Sequence, residues 1–298
     1  MQQHRIRKAV IPAAGFGTRM FPATKAVKKE LFPLIDPEGR AKPIILAIVE
    51  EALSAGIEEV AIITQVSDRP WFENFFKTLP QADYLQKLMA KHEAYIPYLQ
   101  NLGQRVTILT QAVQDGFGHA VFCAKDWVDG DSFLLLLGDH VYKSAIDISC
   151  ARQLLAQYEQ TGQSVIGIEA TPAQTIAHRG CVTGTWREPN SLLKITKLTE
   201  KPEVNYAQQH LHIAGMAVDQ LLAVFGMYAL TARIFDYLEE NIQHNRREFG
   251  EFQLTSCLDQ LQQAEGMFGY WVQGRSFDTG LPDAYRDALI EFRKSSIQ

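Results

Sequence analysis

The sequence lacks the features that would send a chain into a membrane or stabilise it with disulfides. No apolar run approaches the ~18 residues of a membrane span, and residues 1–8 lack the apolar stretch of a signal peptide. The cysteines lie far apart and include no CxxC pair, which favours reduced thiols over a disulfide framework or a zinc site. They are Cys123, Cys150, Cys181 and Cys257. We therefore expect a cytoplasmic protein with no membrane partner.

Linkers, repeats and low-complexity tracts are also missing. The chain has 298 residues, of which 46% are hydrophobic and 21% charged, and this ordinary globular composition argues against disorder. The length permits one large α/β domain or two smaller ones. Because no Pro/Gly/Ser-rich linker divides the sequence, we predict one continuous domain over residues 1–298.

A general excess of positive charge is absent too. The net charge is −5, whereas nucleic-acid-binding proteins are usually basic, so we expect no nucleic-acid partner. The charge is unevenly distributed, because residues 1–42 carry nine Lys and Arg against three acids. This basic segment is either a solvated terminus or a local anion site on an otherwise acidic protein.

Apolar strand-like runs alternate with helix-like segments through the first half of the sequence. Since these strands are apolar on both faces, the pattern predicts a parallel sheet covered by helices on each side. After about residue 164, strands predominate before helices return. The predicted strands are 8–12, 60–64, 106–110, 133–137, 164–170, 181–186, 193–197, 222–230 and 268–272. The predicted helices are 43–56, 70–102, 118–126, 231–241, 251–266 and 282–294.

The first predicted strand leads into a glycine loop, in which Gly15 and Gly17 are separated by one residue. Glycines let backbone N–H groups approach a polyphosphate closely. The loop is neither a GxGxxG fingerprint nor a P-loop, and the GxG pattern alone is more typical of a tight turn. Three cations follow within fifteen residues, as phosphoryl or nucleotidyl transfer would require. They are Arg19, Lys25 and Lys29.

Polar residues stand at the ends of three further strands, where ligands of parallel α/β sheets bind. Gln111 offers a donor and an acceptor to a nucleobase, or is a surface residue before a helix. Asp139 follows the most apolar strand, and Asp278 follows the predicted strand 268–272. These two acids form a candidate Mg²⁺ site, although each alone also fits a turn or a helix N-cap. We assign the neighbouring His140 a structural role.

The glycine loop carries a specific resemblance to a known family. Residues 15–25 (GFGTRMFPATK), followed by Lys29-Glu30, closely resemble the signature loop of the sugar-1-phosphate nucleotidylyltransferases. The resemblance continues in order to about residue 292, through 116–120, Glu200-Lys201-Pro202 and 249–255. It is greatest for the bacterial enzymes that use UTP and glucose 1-phosphate.

The resemblance implies an α/β, Rossmann-like, three-layer nucleotidylyltransferase fold with a mixed, mostly parallel central sheet. The nucleotide-binding half would span about residues 1–145 and the sugar-phosphate-binding half about residues 146–298. The implied reaction transfers a uridylyl group from UTP to glucose 1-phosphate, giving UDP-glucose and pyrophosphate, with Mg²⁺ as the cofactor. A homo-oligomer is implied as well.

The family's functional residues map onto specific positions of this sequence. Arg19 and Lys29 would stabilise charge on the triphosphate, Lys201 would hold the attacking phosphate, and Asp139 and Asp278 would hold the metal. The nucleotide-binding residues would be Ala14, Gly15, Gly17, Thr18, Lys25, Gln111 and Gly116. The sugar-phosphate-binding residues would be Gly180, Glu200, Lys201 and Gly226.

Three positions depart from the family pattern. Lys28 stands where the family typically has proline, and Gly250 stands where an acid is usual. The dipeptide Gly138-Asp139 stands where most of the uridylyltransferases have Pro-Asp. These departures leave two alternatives open, a non-catalytic regulatory relative and an enzyme that uses another NTP, such as dTTP, or another sugar 1-phosphate. Residues 203–222 carry no motif, and the stretch 208–212 within them is typical of a solvated loop or a frayed helix.

Overall fold

The strands begin with the apolar run predicted at residues 8–12. The computed structural model describes residues 5–293, without the side chains of residues 90 and 91. Within that range, the strands are β1 (Lys8–Pro12), β2 (Pro33–Ile35), β3 (Ala41–Pro43), β4 (Glu59–Gln65), β5 (Val106–Gln111), β6 (Phe133–Leu136), β7 (His140–Ser144), β8 (Val165–Pro172), β9 (Cys181–Glu188), β10 (Leu192–Thr199), β11 (Gln220–Leu230), β12 (Phe268–Trp271) and β13 (Gly274–Asp278).

The helices fill most of the intervals between these strands. They are α1 (Ile44–Ser54), α2 (Arg69–Lys77), α3 (Ala82–His92), α4 (Tyr95–Gln104), α5 (Phe117–Phe122), α6 (Lys125–Val128), α7 (Cys150–Thr161), α8 (Val204–His210), α9 (Ile234–Gln243), α10 (Thr255–Glu265) and α11 (Pro282–Phe292). Short 3₁₀ turns occupy Thr18–Met20, Ala23–Lys25, Lys29–Leu31 and Ala173–His178.

One sheet organises the described part of the chain. Its nine strands follow the order β5-β4-β1-β6-β11-β8-β12-β10-β9 within residues 5–293. β1, β4, β5 and β6 pair in parallel, whereas β11 is antiparallel to both β6 and β8. The predicted mixed sheet is confirmed. Parallel pairing predominates only in the first half of the chain, because the second half is built largely from antiparallel neighbours without crossover helices.

The core lies on both faces of this sheet. In β6, Leu134 and Leu136 join one apolar cluster, while Phe133 and Leu135 join the other, because side chains alternate along a strand. Helices α1 and α7 cover the first face, and α9 and α10 cover the second. The predicted three-layer arrangement is therefore confirmed. β6 of the first half pairs with β11 of the second, and the division near residue 145 stays a prediction.

Two predicted helices are broken in the structure. The segment predicted as one helix over 70–102 forms α2, α3 and α4. The first break surrounds Pro80, which has no N–H to donate and disfavours a helical conformation in the preceding residue. The predicted helix 118–126 likewise forms α5 and α6. Both segments are therefore helical as predicted, but each is divided into shorter helices.

One helix, α7, lies where none was predicted, and another, α8, overlaps a stretch predicted as a solvated loop or a frayed helix. α7 begins after Ser149, whose Oγ accepts a hydrogen bond from the Arg152 N–H at 3.3 Å, and it ends at Gly162 with φ of +64°. These are a helix N-cap and a glycine C-cap, and both are readable in the sequence. α8 lies in the segment 203–222, where Ala207 and Leu211 are buried in a small apolar cluster. Of the two alternatives for residues 208–212, the structure shows the helix, since α8 extends to His210, and residues 208–210 are exposed as predicted, whereas Leu211 packs.

The four cysteines are free thiols within the described residues, and three of them are buried. None of the helices in residues 5–293 combines the length and the apolar character needed to cross a bilayer.

Candidate active site

Two cavities open at the carboxyl ends of β1, β5 and β6, the edge at which the sequence predicts ligand binding. The smaller measures about 290 Å³ and is lined by the glycine loop and Gln111. The larger measures about 820 Å³ and is lined mostly by residues of the second half of the chain. The cavities share four lining residues, which are Phe117, Leu137, Asp139 and Glu251. Asp139 therefore lies at the junction of the two.

The glycine loop turns sharply after β1. The N–H of Ala13 donates to the Ile63 carbonyl at 2.7 Å, and the following residues leave the sheet. Gly17 has φ of +69°, and a Cβ there would lie 2.9 Å from Thr24 Cγ2, so a side chain would clash. Gly15 has open space around its missing side chain. The loop thus presents bare backbone to the smaller cavity.

The charged groups of the site surround the carboxylate of Asp139. Its Oδ2 accepts a short hydrogen bond from the Lys29 ammonium and lies 3.8 Å from Arg19 Nη2. Its Oδ1 lies 3.0 Å from His140 Nδ1. Arg19 also reaches Asp278, with 3.3 Å between Nη1 and Oδ2. Both predicted metal ligands and both predicted triphosphate cations thus lie in one cluster.

A two-stranded ladder brings Asp278 to this cluster. β7 and β13 pair antiparallel, with Asp278 opposite His140. Asp278 therefore ends β13 rather than following the strand at 268–272, because the chain reverses near Gln273 and begins a new strand. The Thr279 N–H and Oγ1 both bond to the Asp139 carbonyl, at 2.8 and 2.7 Å. This anchors the end of β13 beside Asp139.

The arrangement fits a divalent cation. One ligand atom from each of Asp139, His140 and Asp278 lies within 4.8 Å of the others. Gly280 leaves the space between them free, since a Cβ there would lie 2.8 Å from Asp139 Oδ2 and 2.9 Å from Asp278 Oδ1. Carboxylate oxygens are the ligands that hard cations prefer. The structural role assigned to His140 stays a prediction, although one of its ring nitrogens lies within this group of possible ligand atoms.

The charges of the cluster stabilise one another. Burial disfavours ionisation of Asp139, but the ammonium of Lys29 and the hydrogen bond from His140 hold the pKa of its carboxyl well below the usual range. Burial likewise lowers the pKa of Lys29, and the nearby carboxylates of Asp139 and Glu30 more than compensate, so its pKa is raised. Both groups are thus ionised at neutral pH.

Glu30 differs from its neighbours. It is 1% exposed, and its Oε2 accepts no hydrogen bond within residues 5–293. Burial raises the pKa of Glu30 to about 7, although the Lys29 ammonium, 3.8 Å away, opposes this. A buried carboxyl with an unpaired oxygen is stable chiefly in its protonated form.

We expect the contribution of Glu30 to the free energy of unfolding to fall as the pH rises from about 4.5 to about 7. Over this range the unfolded chain releases the Glu30 proton while the folded chain retains it, so the folded state loses stability. The shift corresponds to about 3 kcal/mol. Glu30→Gln is neutral at every pH and should remove this part of the slope in denaturant unfolding measured between pH 4 and 8. An unchanged slope would mean that Glu30 ionises normally in the folded protein.

Gln111 lies at the floor of the smaller cavity. It is 2% exposed and ends β5, and its Nε2 lies 3.2 Å from the Gly116 carbonyl and 3.0 Å from His119 Nδ1. These contacts leave Oε1 available as an acceptor. Gly116 has φ of +101°, and a Cβ there would lie 2.6 Å from the Phe252 carbonyl. Glycine is therefore required by both the conformation and the close approach of the segment around Phe252.

The larger cavity contains the Glu-Lys pair predicted for the sugar phosphate. Glu200 Oε2 accepts a hydrogen bond from Thr255 at 2.7 Å, and Glu200 Oε1 lies 3.3 Å from Lys201 Nζ. Gly180 lines the same cavity, and a Cβ added to it would lie 3.5 Å from Glu200 Oε2. Gly226 lies outside the lining. A Cβ there would lie 2.9 Å from the His140 ring, so this glycine makes room for His140.

Three of the predicted nucleotide-binding residues lie outside the lining of both cavities. Thr18 and Lys25 are exposed, and Gly17 forms the turn of the glycine loop without lining a cavity. Conversely, the Arg179 guanidinium lines the larger cavity, where it forms a short ion pair with Glu169 and donates to the Val224 carbonyl at 3.0 Å. Only the tertiary structure brings these residues together, so no sequence pattern predicts the network.

Comparisons with known proteins match this arrangement. The sequence model described as nucleotidyl transferase matches residues 8–295. UTP–glucose-1-phosphate uridylyltransferase 1 of Staphylococcus saprophyticus is 34% identical over 293 residues, covering 97% of this chain and 93% of the relative. The crystal structure of a UDP-glucose pyrophosphorylase complexed with UDP-glucose is 28% identical, with a TM-score of 0.79 over 96% of this chain and 98% of that one. A UTP-bound UGPase from Acinetobacter baumannii is 30% identical, with a TM-score of 0.76 over 96% of this chain and 93% of that one. The matches span both cavities.

Proposed function

The chain belongs to the nucleotidyl transferase family, and from this we propose that it transfers the uridylyl group of UTP to glucose 1-phosphate. The products would be UDP-glucose and pyrophosphate. The observation that carries the proposal is the junction at Asp139, where a cavity behind the glycine loop meets a larger cavity containing Glu200 and Lys201. Two phosphorylated substrates, one in each cavity, would bring their phosphates together there.

In the proposed reaction, UTP occupies the smaller cavity and glucose 1-phosphate the larger. A phosphate oxygen of the sugar attacks the α-phosphorus of UTP in line, a P–O bond forms, and the bond to pyrophosphate breaks. The attacking oxygen is already ionised, so no general base is needed. Arg19 and Lys29 stabilise the charge that moves onto the leaving pyrophosphate, and Lys201 holds the attacking phosphate. Positioning and electrostatics supply nearly all the rate acceleration.

The proposed cofactor is Mg²⁺, which Asp139 and Asp278 would hold with His140 nearby. When bound, it would neutralise phosphate oxygens of both substrates and keep them close together. The carboxylate of Asp139, which the Lys29 ammonium keeps ionised, needs no deprotonation to serve as a ligand. We also propose that the protein is cytoplasmic and that it forms a homo-oligomer. Light scattering of the purified chain would test the oligomeric state.

Pyrophosphate release tests the proposed function directly. The purified chain with Mg²⁺, UTP and glucose 1-phosphate should release one pyrophosphate for each UDP-glucose formed. Omitting the sugar phosphate separates transfer from simple hydrolysis of the nucleotide. A panel of NTPs and sugar 1-phosphates identifies the preferred pair, and UTP should be a better donor than dTTP. No release with any pair would support a non-catalytic relative.

Replacing Gln111 with leucine should lower kcat/KM for UTP by about 10- to 100-fold. The leucine would leave polar groups of the uracil edge without a partner in a buried site, and such a loss costs about 1–3 kcal/mol. Initial rates at saturating glucose 1-phosphate measure the effect. Gln263→Leu on the exposed face of α10 is the control. Equal kcat/KM values for the Gln111 and Gln263 variants would place the base elsewhere.

A further inference from the structure

The carbonyl groups of the glycine loop are held by side chains. Gln65 Nε2 donates to the Ala14 carbonyl at 2.8 Å, Lys28 Nζ to the Gly15 carbonyl at 2.8 Å, and Thr24 Oγ1 to the Gly17 carbonyl at 3.1 Å. In a trans peptide the C=O of one residue and the N–H of the next point in opposite directions. Holding the Gly15 carbonyl therefore fixes the direction of the Phe16 N–H. Gly15 and Phe16 both line the smaller cavity.

Lys28 is the charged member of this set, and it makes a second contact. Its Nζ lies 2.8 Å from Asp68 Oδ2, and both side chains are only 14% exposed. Asp68 immediately precedes α2, so the Lys28 ammonium joins the glycine loop to a helix that packs on the sheet. An ion pair this sheltered is screened by salt much less than one at the surface.

The loop requires such support because glycine has large conformational freedom. Ordering a segment with two glycines costs more entropy than ordering most others. The residue at position 28 has φ of −62°, which is the value that proline fixes covalently. Lys28 has no such covalent restraint. Its two polar contacts restrain the same segment through the side chain.

We propose that Lys28 is a positioning residue that fixes the glycine loop in the conformation that binds the polyphosphate. Its ammonium holds the Gly15 carbonyl away from the ligand, and Asp68 holds the ammonium in place. The identity of the ligand as UTP rests on the proposed function, whereas the ordering of the loop does not.

Nucleotide binding tests the first consequence. Lys28→Met should raise the Kd and KM for UTP by about 10- to 100-fold, which is the cost of losing a hydrogen bond from a charged group. The KM for glucose 1-phosphate should stay within about threefold, because Lys28 contacts nothing in the larger cavity. Lys28→Arg should recover most of the UTP affinity. Arg69→Met is the matched control, since it removes an exposed ion pair with Glu73 on α2 without touching the loop.

Hydrogen exchange tests the second consequence without any nucleotide. The Met20 N–H donates to the Gly17 carbonyl and the Ala13 N–H to the Ile63 carbonyl, so both amides report opening of the loop. Their exchange should be about 10-fold faster or more in the free Lys28→Met protein and unchanged in Arg69→Met.

The two measurements separate this proposal from the proposed function. If exchange in Lys28→Met matches the wild type, or if exchange is faster while UTP affinity is unchanged, the positioning role is overturned. If exchange is faster but the wild-type chain neither binds UTP nor releases pyrophosphate, the proposed function is overturned and the loop restraint stands.

Discussion

Asp139→Ala is expected to lower kcat by about 1000-fold or more while the chain remains folded. Asp139 lies where the two cavities meet, and its carboxylate is the common partner of Lys29, Arg19 and His140. Its loss would remove a proposed metal ligand and displace the cations that we propose to neutralise the triphosphate. A bound cation supplies several kcal/mol of transition-state stabilisation, and each 1.36 kcal/mol is tenfold in rate.

The measurement compares pyrophosphate release at saturating substrates over a range of Mg²⁺ concentrations. Thermal unfolding and circular dichroism of the variant establish that it is folded, which we expect because burying a carboxylate is itself costly. Asp131→Ala, which removes a half-exposed acid paired with Lys8, is the control for a changed net charge. Turnover of Asp139→Ala within about tenfold of the wild type would sink the assignment of the metal site.

Lys29→Met should lower kcat/KM for UTP by about 1000-fold, the second largest effect that we expect. Lys29 is buried beside the partly buried Asp139 and lines the smaller cavity, so in the proposed reaction its ammonium would lie where charge develops on the leaving pyrophosphate. Groups that stabilise such charge typically contribute factors of about 100 to 100,000. The substitution also leaves Asp139 without its closest cation.

Lys25→Met is the informative comparison, because both lysines belong to the same sequence motif. Lys25 is exposed at the end of the turn Ala23–Lys25 and lies outside the lining of both cavities, so we expect a smaller loss than for Lys29. Initial rates with varied UTP and saturating glucose 1-phosphate give kcat/KM for each variant. Equal losses would mean that the bound nucleotide draws Lys25 into the site.

The sequence predicts the first half of the fold well because the signals there are local. β1, β4, β5 and β6 are short apolar runs, and buried parallel strands are continuous in their hydrophobicity. The candidate residues at their ends, such as Gln111 and Asp139, follow from the rule that ligands bind at this edge. The glycine loop adds a motif with a specific resemblance, from which Arg19 and Lys29 were predicted.

Long-range pairing explains what the sequence did not predict. The antiparallel position of β11 between β6 and β8 depends on contacts over more than fifty residues, which no local pattern encodes. Asp278 was predicted as a metal ligand but was assigned to the end of the wrong strand, because the pairing of β7 with β13 is visible only in three dimensions. The network of Arg179 and Glu169 was missed for the same reason.

The β7–β13 ladder also bears on how the protein is made. It joins His140 to Asp278, so the cation site closes only when a segment near the end of the chain pairs with one near its middle. Contacts of such sequence separation are slow to form, because the intervening chain must first be ordered. During synthesis the glycine loop, Gln111 and Asp139 emerge long before Asp278. A nascent or truncated chain that ends before residue 274 would hold the first cavity's residues without the second carboxylate, so we expect no turnover from a chain that lacks Asp278.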